Sequence, residues 1–136
     1  MQIHESAEDY LETILLLHLR NGQVRSIDIV NEMGYSKPSI SVAMKRLREN
    51  GYIDMDEEGF ITLNPSGKAI AERIYARHRW LTKFLVTLGV SEKTAAIDAC
   101  KMEHDLSDET FECIKAHALA SNREVAKAAE TEKSGA

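Results

Sequence analysis

No stretch of this 136-residue chain holds the roughly 18 consecutive apolar residues that a membrane-spanning helix needs. Its first residues, MQIHESAEDY, lack the basic-then-apolar pattern of a secretory signal. The expectation is a cytoplasmic protein with no membrane partner. Cysteine is scarce, with Cys100 and Cys113 the only two. Two cysteines make no disulfide framework, and a reducing cytosol keeps both as thiols. Cys113 reads as a small core residue. A Gly-rich phosphate loop, a nucleophile elbow and an oxyanion-type turn are also missing, which removes the usual signatures of nucleotide-dependent and acyl-transfer enzymes. Internal repeats and low-complexity linkers are absent too.

Apolar residues make up 43% of the chain and charged residues 29%, a balance that supports a globular fold rather than disorder. The length suits one compact domain or two small ones, and a chain this short gains from burying surface in a dimer. Net charge is −5, which taken alone speaks against nucleic acid. The distribution speaks for it. Lys37 to Arg48 carries Lys37, Lys45, Arg46 and Arg48 with no acid, and a second basic cluster runs through Arg73, Arg77, Arg79 and Lys83. Local fields rather than the total decide where a polyanion docks.

Cap and turn residues divide the chain into a mostly helical series. Ser6 reads as the cap of a long first helix carrying Tyr10, Leu11, Ile14, Leu15, Leu17 and Leu19, closed by Asn21-Gly22. Ser26 reads as the cap of a short second helix to Met33, and Ser36 as the cap of a third, Lys37 to Glu49, with Pro38 in its first turn. Two short strands, Tyr52–Asp56 and Phe60–Leu63, flank Glu57-Glu58-Gly59 as a hairpin. Asn64-Pro65 opens a fourth helix to about Leu88, Ser91 a fifth to Asp105, and Ser107 a sixth to about Ala120. Ser121-Asn122-Arg123-Glu124 has the capping-box spacing of a final helix. The expected domains are 1–64 and 65–136.

Helix, short helix, Gly turn, helix and hairpin is the order of a winged helix-turn-helix. The expected fold is therefore mostly α: a winged helix-turn-helix DNA-binding domain followed by an all-helical dimerisation domain. The third helix reads as the recognition helix, with Ile40, Ala43, Met44 and Leu47 facing inward. Its first turn is small and polar. Ser36, Lys37, Ser39 and Ser41 can bond base edges or phosphates, Pro38 can touch a thymine methyl, and Lys45, Arg46 and Arg48 can bind phosphate. Arg25 and Ser26, at the start of the second helix, complete the candidate DNA contacts. The wing tip, Asp56-Glu57-Glu58, is acidic and repels phosphate.

The stretch CKMEHD sets Cys100, Glu103 and His104 at i, i+3 and i+4, on one helical face. Asp9 and Glu12 share a face of the first helix, and His78 lies on the fourth. These are good ligands for a divalent metal, yet each has a plainer role. Asp9 can finish a capping box with Ser6, Glu12 can be a solvated acid, and His78 can be surface between Arg77 and Arg79. Cys100 can be core, and His104 can sit at a helix C-terminus. Spacing alone leaves their convergence open. His4, His18 and His117 have no such company and read as structural.

SAEDYLETILLL, SIDIVNEMGYSKPSISVAMKRLRENGYI, ITLNPSGKAIAERIYARHRWLTKFL and CKMEHDLSDE, taken together, resemble the metal-dependent repressors of the diphtheria toxin repressor and manganese transport regulator family, from Ser6 to about Leu119. The resemblance implies that Asp9, Glu12, His78, Cys100, Glu103 and His104 are metal ligands. It also implies a homodimer built from the helices after the hairpin, and repression of metal-uptake genes through double-stranded operator DNA. Departures are visible. The manganese branch has an acid where this chain has Cys100. The iron branch has a methionine where this chain has Asp9, and its ancillary site needs an acid and a histidine where this chain has Thr82 and Ala96. No third, SH3-like domain follows, so the expectation is the short, two-domain type with a mixed primary site. Mn(II) or Fe(II) is the expected metal, with Zn(II) or Co(II) as alternatives that a thiolate favours. Competing readings are a winged-helix regulator answering to zinc, an organic ligand or thiol oxidation at Cys100, and, more remotely, a thiol or metal-dependent hydrolytic enzyme.

Overall fold

The computed structural model of the chain describes residues 5–134, with side chains over 6–121. Two compact units emerge, Met1–Arg79 and Trp80–Ala136. The first holds α1 (Glu5–Asn21), α2 (Ser26–Met33), α3 (Lys37–Glu49), the strands β1 (Ile53–Met55) and β2 (Ile61–Leu63), and the leading part of α4 (Pro65–Thr87). The second holds the rest of α4, α5 (Glu92–Asp105) and α6 (Asp108–Ser134). Helices, a two-stranded wing and an all-helical second half agree with the expected fold class.

In the first unit, Leu11, Ile14 and Leu15 recur at helical spacing on α1 and are buried with Leu17. Leu19, expected to join them, is exposed because it lies at the edge of that stripe in the last turn. The start of α1 also differs from expectation. Helix already runs at Glu5, so Ser6 lies inside it rather than capping it. Asp9 is thereby released from the capping-box role that a Ser6 cap would have given it.

The cap of α2 moves one residue as well. Arg25 takes the extended cap conformation and its N–H donates to the Asp28 carboxylate at 2.9 Å, which makes Ser26 the first helical residue. Gly34, at φ 75°, ends the helix in the left-handed region that glycine enters without strain. α3 has the expected bounds. Ser36 caps it by accepting from the Ser39 N–H at 3.3 Å, and Ile40, Met44 and Leu47 face inward, with Ala43 half-buried.

The wing strands are antiparallel, pairing Ile53 with Leu63 and Met55 with Ile61. They are shorter than expected because the Asp56 carboxylate takes the N–H groups of Glu58 and Phe60, each at 2.9 Å, and turns the chain early. Phe60 instead bridges to Arg25, and the Ile61 N–H donates to the Val24 carbonyl at 2.8 Å, tying the wing to the approach of α2.

One apolar cluster unites these elements: Leu11, Ile14, Val24, Ile29, Ile40, Met44, Ile53 and Ile61, with Ala71 from α4 and Ile70 and Tyr75 packed against it. Each fully buried aliphatic side chain contributes about 1.5–3 kcal/mol. Ala71, Ile70 and Tyr75 explain why the first compact unit takes in the leading part of α4. The entry to α4 is tight. Asn64 N–H donates to the Tyr52 carbonyl at 2.9 Å, and a Cβ on buried Gly67 would stand 2.2 Å from that same oxygen.

In the second unit, Leu81, Ala99 and Phe111 form a small core. Trp80 stacks on Phe84 at 5.1 Å between centroids and meets Phe111 edge-on at 5.6 Å. Ser91 and Ser107 cap α5 and α6, accepting from Thr94 N–H at 3.4 Å and Thr110 N–H at 3.1 Å. The break expected at Ser121 does not occur. α6 runs on to Ser134, since no Gly or Pro interrupts residues 108–134. Cys113, expected in the core, is exposed because it lies two residues past buried Phe111, on the other side of the helix. His18 and His117 are exposed, and His4 lies outside the described residues. Among the described residues no helix is long and apolar enough to cross a membrane.

Gly67→Ala forces the α4 entry away from Tyr52. We expect a loss of about 2–3 kcal/mol in urea denaturation, at the upper end of overpacking penalties because backbone cannot step aside as a side chain can. An exposed glycine-free position of the same helix, Ala69→Ser, is expected to change stability little in the same measurement.

Candidate metal centre and DNA-facing helix

Each unit carries a carboxylate that water hardly reaches, beside an imidazole. In the first unit, Asp9 and Glu12 stand three residues apart on α1. Glu12 is 8% exposed and Asp9 half-buried. His78 on α4 is half-buried, and a ligand atom of His78 lies within 4.8 Å of one on Glu12. The surface reading of the Arg77-His78-Arg79 stretch fails at its first two members, since Arg77 is buried and only Arg79, its guanidinium 5.5 Å from the Tyr75 ring, is exposed.

In the second unit, the i, i+3, i+4 spacing on α5 gathers ligand atoms of Cys100, Glu103 and His104 to within 4.8 Å of one another. Glu103 is 2% exposed, with its Oε1 3.5 Å from His104 Nε2. Cys100 is exposed. A carboxylate removed from water must meet positive charge or hydrogen-bond donors, or the fold loses several kcal/mol. These donors fit a divalent first-row ion: carboxylate oxygen and imidazole nitrogen suit manganese and iron(II), and the thiolate adds a softer ligand. Sequence spacing put Asp9 with Glu12 on one helix face and Cys100, Glu103 and His104 on another, and left the approach of His78 to Glu12 open. Their burial, which distinguishes them from solvated acids, was not readable from spacing.

Next to Asp9, Tyr10 packs edge-on against Tyr35, with centroids 6.2 Å apart and planes at 74°. Burial, then Tyr35 and the Asp9 charge, push the Tyr10 hydroxyl above its usual range, so it stays neutral. Tyr35 immediately precedes the Ser36 cap of α3. The ring contact therefore links the face of α1 that carries Asp9 to the start of α3 within one unit. The sequence reading placed Tyr10 on the apolar face of α1 but not against Tyr35; an aromatic just before a helix cap was the available signal.

The candidate DNA contacts are on the surface. Arg25, Ser36, Lys37, Pro38, Ser39, Ser41, Lys45 and Arg46 are exposed, and Ser26 is half-buried. Two of them have structural work as well. The Ser36 hydroxyl donates to Ser39 Oγ at 2.8 Å while capping α3. The Arg25 guanidinium donates to the Glu58 carbonyl and lies 4.7 Å from the Phe60 ring, bracing the wing against α2.

Comparison with known proteins places these observations in a family. Residues 2–59 match the N-terminal DNA binding domain of the iron dependent repressors, and residues 64–120 match their metal binding and dimerisation domain. Transcriptional regulator MntR of Salmonella typhimurium is 36% identical over 112 residues, covering 82% of this chain and 71% of that protein. A manganese-dependent transcriptional repressor solved in complex with manganese is 30% identical, with a TM-score of 0.73, over 82% of this chain and 51% of that one. The manganese regulator SloR is 26% identical, with a TM-score of 0.71, over 87% of this chain and 54% of that one. The chain thus spans about half the length of those two solved chains.

Glu103→Gln removes the buried charge and keeps the shape. Without metal, we expect this variant to melt at or above the wild-type temperature. Manganese at a hundred times its dissociation constant should stabilise the wild type by about 2.7 kcal/mol, and the variant by much less. Equal metal-induced shifts in differential scanning calorimetry would remove Glu103 from the ligand set.

Proposed function

The chain belongs to the iron-dependent repressor family, and from that premise we propose that it is a metal-dependent transcriptional repressor, working in the cytoplasm as a homodimer on double-stranded operator DNA that controls metal-uptake genes. The observation that carries this reading is the pair of buried carboxylates, Glu12 beside His78 and Glu103 beside His104. Asp9, Glu12, His78, Cys100, Glu103 and His104 are the proposed ligands. The manganese in the names of the relatives supports Mn(II), and the Cys100 thiolate supports Fe(II). Zn(II) and Co(II) should also bind in vitro. A ligand set this complete leaves no open position for a substrate, which favours a sensor over an enzyme.

The residues explain how such a signal reaches DNA. Asp9 and Glu12 ride on α1, in the unit that bears α3, whereas Cys100, Glu103 and His104 ride on α5, in the half matching the dimerisation domain. Without a cation, carboxylates held away from water are costly as anions. A divalent cation supplies the positive charge that offsets this cost. Asp9 and Glu12 then fix the position of α1, and Tyr10 passes that position through Tyr35 to the cap of α3. A two-fold dimer reads half-sites about one helical turn apart, so the setting of α3 governs affinity. Ser41, Lys45 and Arg46 on the outer face of α3 meet bases and phosphates, Lys37 and Pro38 enter first, and Arg25, Ser26, Ser36 and Ser39 frame the approach. The acidic wing tip stays off the phosphates.

The exposure of Cys100 favours one other reading, a winged-helix regulator answering to thiol oxidation. Anaerobic and aerobic arms of one experiment separate the two.

In anaerobic operator titrations we expect Mn(II) or Fe(II) to tighten binding roughly 5–150-fold, the usual range of allosteric coupling. Operator should tighten metal binding by the same factor. Glu103→Ala should lose the metal effect and keep the helical circular-dichroism signal. Equal affinity of metal-free and metal-loaded protein would reject the sensor. Metal-independent binding that peroxide abolishes would favour the thiol reading.

A further inference from the structure

α3 carries one apolar residue that neither its core nor its expected DNA contacts account for. Val42 is 51% exposed. Ile40 and Met44, each two residues away, are buried, as is Leu47. At 100° per residue, Val42 points away from the face those three define and stands on the outward crest of the helix. Its neighbours along that crest are Pro38, one turn earlier, and Lys45 and Arg46, one turn later, all exposed.

An isolated exposed valine needs no explanation on most surfaces. This one sits where the helix would press deepest into a groove, amid Lys37, Lys45, Arg46 and Arg48 with no acid before Glu49. The charge around it complements a polyanion, while its own side chain offers no hydrogen bond. In the major groove of B-DNA, the thymine 5-methyl is the base-edge group that an aliphatic side chain can recognise directly. The other base-edge groups there are donors and acceptors, which a valine would desolvate without satisfying.

We propose that Val42 is a specificity-determining residue that reads the 5-methyl group of a thymine in each operator half-site. The inference rests on the DNA-binding function proposed above and extends it to a base. Valine escapes notice in the sequence because its ordinary place is the core, and only its position on the folded helix separates it from Ile40 and Met44.

The test begins with duplexes selected from a random pool by the Mn(II)-loaded full chain. Each thymine of the selected half-site is then replaced singly by deoxyuridine, which deletes the methyl group and keeps the base pair. We expect one thymine whose replacement weakens wild-type binding about four-fold, the worth of one apolar group removed from water. The same replacement should have no effect on Val42→Ala. Val42→Gln, carried through the same selection, should shift the preferred base at that position toward adenine, which glutamine pairs through N6 and N7. Thermal melts should be unchanged, since the side chain lies outside the core.

Three results would overturn the proposal: no methyl-sensitive thymine, a methyl-sensitive thymine whose sensitivity survives in Val42→Ala, or one whose sensitivity disappears in Pro38→Ala alone. In each of these the protein still selects DNA, so the repressor reading stands while the base assignment falls. Selection of no duplex by the metal-loaded chain would reject both.

Discussion

Negative charge held away from water is the constraint around which this protein is arranged. Glu12 and Glu103 are ordinary carboxylates on faces that apolar residues usually fill: the buried faces of α1 and α5. Burial of an ion is tolerable only when something positive or donating meets it. Each carboxylate has an imidazole close by, His78 for Glu12 and His104 for Glu103. An imidazole is a flexible partner, able to accept a metal through one nitrogen while the other donates. Added positive charge is favoured at such positions. That bias is what the proposed response to a divalent metal would draw on.

Much of the fold was legible because this chain announces its helix starts. Ser36, Ser91 and Ser107 cap the helices they were expected to cap, and Asn64-Pro65 opens α4. The misjudged termini share a cause. Ser6, Ser26 and Ser121 are also serines before apolar or acid-rich stretches, yet all three lie inside helices. A serine caps only if the backbone around it leaves the helix, and that depends on neighbours. Asp28 captured the Arg25 N–H and moved one boundary, while an uninterrupted run of helix-compatible residues carried α6 past Ser121. Gly67 shows a different limit. Its sequence context suggests a weak spot in a helix, and only the closeness of the Tyr52 carbonyl reveals that a side chain would not fit.

The candidate site divides along the same line. Periodicity alone set Cys100, Glu103 and His104 on one face of α5, and their ligand atoms do gather. Nothing in the spacing distinguished them from a solvated helix end; the 2% exposure of Glu103 does. The outward face of α3 was legible where its residues are charged or polar, since those proposed as DNA contacts there are exposed. It was illegible where type misleads. Val42 looks like core and is not, whereas Ser36 and Arg25 look like pure contacts and also hold the helix start and the wing in place.

Such double use bears on how the protein tolerates change. Removing Ser36 would take away a possible phosphate ligand and a helix cap together, and an N-cap is worth about 1 kcal/mol. Arg25 joins α2 to the wing through the Glu58 carbonyl and the Phe60 ring, so its loss would loosen the wing whatever it does to DNA. Lys45 and Arg46, by contrast, stand exposed on the outer face of α3 with the buried Met44 and Leu47 supporting the helix from within. Positions of that kind can change affinity without changing the fold. Cys100 belongs with them. It is the exposed member of its cluster, beside the buried Glu103, so its replacement by an acid or a serine would alter the softness of the donor set while the packing of Ala95, Ala99 and Glu103 stays as it is. Cys100 is thus the member of the proposed donor set whose change would disturb the core least.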